Sequence, residues 1–147
     1  MTGVGVGLKF RRFDVRTDNF PRTFSAPAIH VIQDRENLSD VYGEAFARQV
    51  DLDKWFVVGV HRGLCRSGGY AVRICDIARG SDAVEVTVHF RDPQPGELVT
   101  LVMTEPYDVV FVSREGLRPG ETLEFRFRDQ NGDEIGRRTV TISQPGG

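Results

Sequence analysis

Cysteine and lysine are nearly missing from these 147 residues, with two of each. Two cysteines cannot build a disulfide framework, and Cys65 and Cys75 lie outside any C-x-x-C pair. Neither a stapled secreted scaffold nor a dithiol redox motif is therefore indicated. A single bridge between the two stays open. Only Lys9 and Lys54 are lysines among 19 basic residues, which face 21 acidic ones for a formal charge of −2. Both signs are scattered along the chain, so no basic block calls for nucleic acid. Histidine is scarce too. His30, His61 and His89 fall in three separate strand-like runs without the paired spacing of a metal set. No apolar run approaches the roughly 18 residues of a membrane span. The first twelve residues lack the apolar core of a signal peptide. The expectation is a cytoplasmic chain, or an extracytoplasmic one whose leader has been removed, with no cofactor.

What is present has the period of a β protein. The length suits a single domain, residues 1–147, able to bury roughly 68–70 % of its unfolded surface. Residues 1–7 read as a disordered end and 143–147 as a tail. Leu8, Phe10 and Phe13 suggest a short strand, and Phe20 and Phe24 pin a loop to the core. Ala28 to Ile32 form a β-branched run. Asp34 then stands as an N-cap with Glu36 near the positive end of the helix dipole. Leu38, Val41, Tyr42, Ala45 and Phe46 recur with helical spacing, which predicts one amphipathic helix near residues 35–48 packed on a sheet.

From Trp55 onward the apolar segments are strand-like. Residues 55–60 are apolar on both faces, as a central strand is. Val84, Val86 and Val88 alternate with Glu85, Thr87 and His89, and Leu123, Phe125 and Phe127 with Glu124, Arg126 and Arg128. Gly80-Ser81-Asp82 and Asn131-Gly132 mark hairpin turns. Residues 98–103 read as a further strand after the Pro93-Gln94-Pro95-Gly96 break. About eight strands with one helix predict a mainly β fold, an antiparallel sandwich or open barrel.

The sharpest turn signal is Gly63-Leu64-Cys65-Arg66-Ser67-Gly68-Gly69-Tyr70, between two apolar runs. A Gly-Gly turn can expose backbone N–H groups and let another chain approach closely. It is the candidate partner-binding surface: Gly63, Arg66, Ser67, Gly68, Gly69 and Tyr70, with Pro106 and Tyr107 nearby. Catalysis is a weaker reading. Cys65 and Ser67 lie near His61 in sequence, as in a thiol-dependent hydrolase, but no nucleophile elbow surrounds either. The glycines lead into a strand, not a helix, so no phosphate loop forms. Asp129 to Asp133 resembles a calcium loop in composition only. A sugar site using Trp55 and Tyr107 would need both aromatics exposed.

The Gly63-x-x-x-Ser67-Gly68-Gly69-Tyr70 turn is followed by Pro93-x-Pro95-Gly96 and then by Thr104-Glu105-Pro106-Tyr107-Asp108-Val109-Val110. In this order the three motifs resemble the PrcB family, named for a subunit of a bacterial protease complex, over residues 54–113. Ser67 stands where that family commonly has Thr, and Arg66 where Pro is common. Its members often carry export signals, and none is visible here. The resemblance implies a non-enzymatic accessory role, docking onto or stabilising a protein partner such as a protease. The turn is more loosely similar to the T-T-G-Y loop of chagasin-like protease inhibitors, which are immunoglobulin-like sandwiches.

Overall fold

Alternation with a period of two is carried directly into burial: Val84, Val86 and Val88 are fully inside, and Glu85, Thr87 and His89 are not. The computed structural model describes residues 5–12, 20–21 and 24–144. It contains β1 (Val6–Gly7), β2 (Phe10–Arg12), β3 (Ala28–Ile32), α1 (Arg35–Tyr42), α2 (Glu44–Ala47) and β4 (Trp55–His61). After these come β5 (Ala71–Arg79), β6 (Ala83–Arg91), β7 (Tyr107–Ser113), β8 (Thr122–Arg128) and β9 (Glu134–Thr141). A five-stranded sheet runs β1-β5-β6-β8-β9, and a four-stranded sheet runs β2-β7-β4-β3. The protein is thus a mainly β sandwich, without a closed barrel.

Between the sheets lie Phe56, Val58, Val60, Val110 and Val112 from one side, and Ile74, Val86, Leu123, Phe125 and Phe127 from the other. Phe56 meets Phe125 edge to face at 5.8 Å. The four-stranded sheet is apolar on its second face as well. There Val57, Val109 and Phe111 receive Leu38, Val41, Tyr42 and Phe46 from the helices. This third layer is why β4 and β7 read as apolar without alternation. Among the described residues no helix is long and apolar enough to cross a membrane.

Several expectations shift in detail. The single helix is broken: Asp34 caps α1 by accepting the Asn37 N–H at 3.0 Å, but Gly43, at φ 95, leaves the helical region and starts α2. The break rotates the apolar stripe, exposing Ala45 and burying Ala47. Residues 1–7 are not disordered throughout, since Val6 and Gly7 pair with Arg79 and Ala78 of β5. Ser143 does not begin a free tail, because Gln33 accepts its N–H at 2.8 Å. Residues 1–4, Phe13 and 145–147 lie outside the described residues.

Residues 98–103 form no strand. The positions beside β6 and β7 are already filled, by β5 and β8 in one sheet and β2 and β4 in the other. One pair, β6 with β8, is parallel. Between them the chain crosses to the other sheet to make β7 and returns, as a parallel connection requires. β4 and β5 likewise sit in different sheets, so the segment joining them is a crossing and not a hairpin loop.

Candidate functional site

Segment 62–70, which carries β4 over into β5, does not stand free. Gly63 is buried at φ +94, where a Cβ would lie 3.0 Å from the Pro27 ring. Leu64 donates its N–H to Ser25 O at 2.9 Å. Cys65 and Thr104 exchange two backbone bonds, at 2.7 and 2.9 Å, and the Thr104 hydroxyl donates to Ser67 O at 2.9 Å. The Gly68 N–H, expected to be open to a partner, donates to Thr100 O at 2.9 Å. Gly69 O accepts from Arg91 at 2.6 Å, and the Ser67 hydroxyl turns to Gly68 O. Tyr70 lies under Arg62, whose guanidinium carbon is 4.9 Å from the ring centre. Arg62 is itself held by Arg91 O and the Asp92 carboxylate. Arg66 and Leu64 are the exposed residues of the segment, and Arg66 has no hydrogen bond or ion pair among the described residues.

The cover is the loop of residues 92–106. Its Glu97 carboxylate accepts from Arg91 at 2.7 Å and from the Gln94 N–H at 3.0 Å, and these bonds hold its pKa below the usual carboxylate range. Val99 and Pro93 press on Gly69. Beyond this contact the loop turns its apolar side chains outward. Leu98, Leu101, Val102 and Met103 are 99 %, 91 %, 65 % and 64 % exposed. Sequence reasoning assigned these residues to a strand and so missed them. The available signal was that Leu98-Val99-Thr100-Leu101-Val102-Met103 lacks the apolar–polar alternation of its neighbours. Met103 continues into an open groove of about 670 Å³ that also takes in Tyr70, Glu105, Pro106 and Tyr107. Of the residues singled out from sequence, the structure thus gathers Tyr70, Pro106 and Tyr107 around one groove. It buries Gly63 elsewhere and uses Ser67, Gly68 and Gly69 as packing surface.

The chemistry suggested around His61 is engaged internally. The Tyr42 hydroxyl lies 2.7 Å from His61 Nε2, with both side chains buried. The imidazole stacks on Phe24 with ring centres 3.6 Å apart. Burial, aided by nearby His30, pushes its pKa down to about 3, and burial raises that of Tyr42. The Cys65 thiol faces Gly63 O at 3.7 Å, and both cysteines are free. Trp55 and Tyr107 share no platform. Trp55 pairs with Ser113 and His61 with Tyr107, which puts the two aromatics about 20 Å apart along the sheet. A hollow of about 570 Å³ opens between the sheets past Pro27, His61, Arg62, Gln130 and Arg138. Two of its polar wall residues are engaged within the fold: Gln130 bonds both backbone groups of Phe90, and Arg138 donates to Ile29 O.

No curated protein and no solved structure matches the chain. Residues 56–113, from Phe56 of β4 through the crossing segment, the covering loop and the groove to Ser113 of β7, match the family described as PrcB C-terminal, the one its motifs resemble.

Proposed function

We propose that the protein is a non-catalytic accessory module that binds and stabilises a protein partner, such as a protease, through the end of the sandwich where segment 62–70 meets loop 92–106. The observation that carries this reading is the family match, which spans the whole of that end. The local construction supports it. A segment tied down by Thr100, Thr104 and Arg91 presents a fixed surface, and a fixed surface loses little conformational freedom on association. The engagement of His61 by Tyr42, and of the Cys65 thiol by a carbonyl, supports a non-catalytic role.

The test is isolation of the tagged full-length chain from its own cells after mild fixation, with co-eluting proteins identified by mass spectrometry. An accessory module elutes in a stoichiometric complex with one protein, whose level or activity falls when the chain is deleted. A chain that elutes alone, with no protein changed by its deletion, removes the reading. Alkylation by iodoacetamide checks the enzyme alternative. Cys65 modified no faster than a free thiol fits a binding module, and hyper-reactivity argues for catalysis.

A further inference from the structure

Four large apolar side chains within six residues face water on loop 92–106. The fold makes no use of them: only Val99 of this run turns inward, against Gly69. Contiguous exposed apolar surface of this kind marks a contact site. The backbone beneath is fixed, through Glu97 at one end, Thr100 O in the middle and Thr104 at the other end. The side chains are displayed on a frame already in place.

Charges of both signs border this patch. Asp92 is paired with Arg62 and Glu97 with Arg91, whereas Glu105 accepts the uncharged Phe24 N–H on the side of the fold. Arg66 is not engaged among the described residues. It stands between Cys65 and Ser67, both of which bond Thr104, so it adjoins Met103. A protruding apolar loop with an exposed, unpaired arginine at its edge complements an apolar hollow that carries a carboxylate. We infer that Leu98, Leu101, Val102 and Met103 are the contact residues, and that the partner is a protein with a concave apolar surface bordered by a carboxylate that meets Arg66. The Gly68-Gly69 turn then acts as a buttress behind the contact. This inference rests on the accessory-module reading and specifies its surface.

A benzophenone amino acid is placed at position 98, at position 101 or, as a remote control, at position 137 on β9. Each full-length variant is irradiated in lysate of the source cells. The adduct is sequenced, and the protein identified is purified and titrated against wild type, Leu98→Asp/Leu101→Asp and Arg66→Glu. All these positions are exposed, and an unchanged melting curve verifies folding. The expected result is one protein captured from 98 and 101 but not from 137. Its affinity falls roughly 30-fold or more with the double variant, as for removal of a hot spot. With Arg66→Glu it falls about tenfold, mainly through a slower on-rate. Capture from position 137 with full affinity for the double variant overturns the loop as contact but leaves the accessory module standing. No adduct and no complex at any position overturns both. Flotation of wild type, but not of the double variant, with vesicles of phosphatidylglycerol and phosphatidylcholine assigns the loop to a membrane and overturns the inference. So does a self-association in sedimentation that the double variant abolishes.

Discussion

The Tyr42 hydroxyl sits 2.7 Å from His61 Nε2, and it reaches there only because residue 59 has no side chain. A Cβ on Gly59 would lie 1.9 Å from that hydroxyl oxygen and 3.0 Å from the ring carbon that bears it. Helix α1 and strand β4 are thus joined by a buried hydrogen bond across a gap that glycine leaves open. Tyr42→Phe leaves His61 Nε2 buried without a partner and is expected to cost about 1–3 kcal/mol in urea unfolding. Gly59→Ala is expected to cost at least as much in the wild-type background and clearly less in Tyr42→Phe, where the clashing atom is gone. Strictly additive losses in the double-mutant cycle would show that the two sites do not share this contact.

The same pair makes stability depend on acid. His61 is held neutral, with a folded-state pKa near 3 against 6.5 for the free side chain. A depressed histidine pKa means that the unfolded chain takes up a proton which the folded chain refuses. Its contribution is therefore complete above pH 6.5 and is lost progressively as pH falls from 6.5 toward 3, by several kcal/mol in all. Carboxylates such as Glu97 and Glu121, held low by arginine, add acid sensitivity of their own. The informative quantity is thus the difference between wild type and His61→Gln. Melts at pH 7, 5.5 and 4.5 should show a steeper decline for wild type, and parallel declines would remove His61 as the cause.

Much of the fold is written in the chain as local period. Leu123, Phe125 and Phe127 alternate with Glu124, Arg126 and Arg128, and the structure places the first three in the core. The second three join an outer lattice with Glu85 and Arg137. The helix stripe was legible for the same reason, though the break at Gly43 was not. The candidate site was less legible because it depends on pairing between distant residues. Nothing local says that Gly68 will give its N–H to Thr100, or that β4 and β5 will enter different sheets. The run 98–103 failed as a strand for a non-local reason too, since no sheet edge was left for it beside its neighbours in sequence.

Asp108 on β7 ties the two sheets together. Its carboxylate accepts the Ile74 N–H of β5 at 2.7 Å and a two-pronged contact from Arg12 of β2, at 2.8 Å from Nη2 and 3.1 Å from Nε. Ile74 is in register with Val88 next to the β-bulge of β5, and β1 pairs only with Arg79 and Ala78, so among the described residues no strand meets the Ile74 N–H and Asp108 supplies its acceptor. Asp108→Ala leaves that buried N–H unpaired and is expected to cost about 2–4 kcal/mol, less than for a fully buried ion pair because Arg12 is partly exposed. Hydrogen exchange gives the specific readout. The Ile74 amide should exchange much faster in the variant, while the amides of β8, far from the bulge, change only with global stability. Uniform acceleration across both sheets would mean that Asp108 acts on the fold as a whole and not on the bulge.

The two glycines of the crossing segment should respond differently to the same methyl group. On Gly68 a Cβ would meet the Thr100 hydroxyl oxygen at 2.5 Å, an atom on a side chain that can rotate or be removed. On Gly69 it would meet Val99 Cγ1 at 2.7 Å and the Pro93 ring at 2.9 Å, with the backbone already at φ +89. That conformation costs a residue with a side chain about 1–2 kcal/mol before any clash. Gly68→Ala should therefore be mild, and Thr100→Ala, which keeps the carbonyl that accepts the Gly68 N–H, should restore most of its loss. Gly69→Ala should destabilise by at least about 1–2 kcal/mol and should not be restored by Val99→Ala, because the backbone strain persists. Limited proteolysis follows the consequence directly. Cleavage between residues 93 and 103 should quicken in Gly69→Ala, whose bulk pushes the covering loop off its buttress, and should stay near wild type in Gly68→Ala/Thr100→Ala. Equal cleavage of the two variants would show that the loop does not depend on the glycine beneath it.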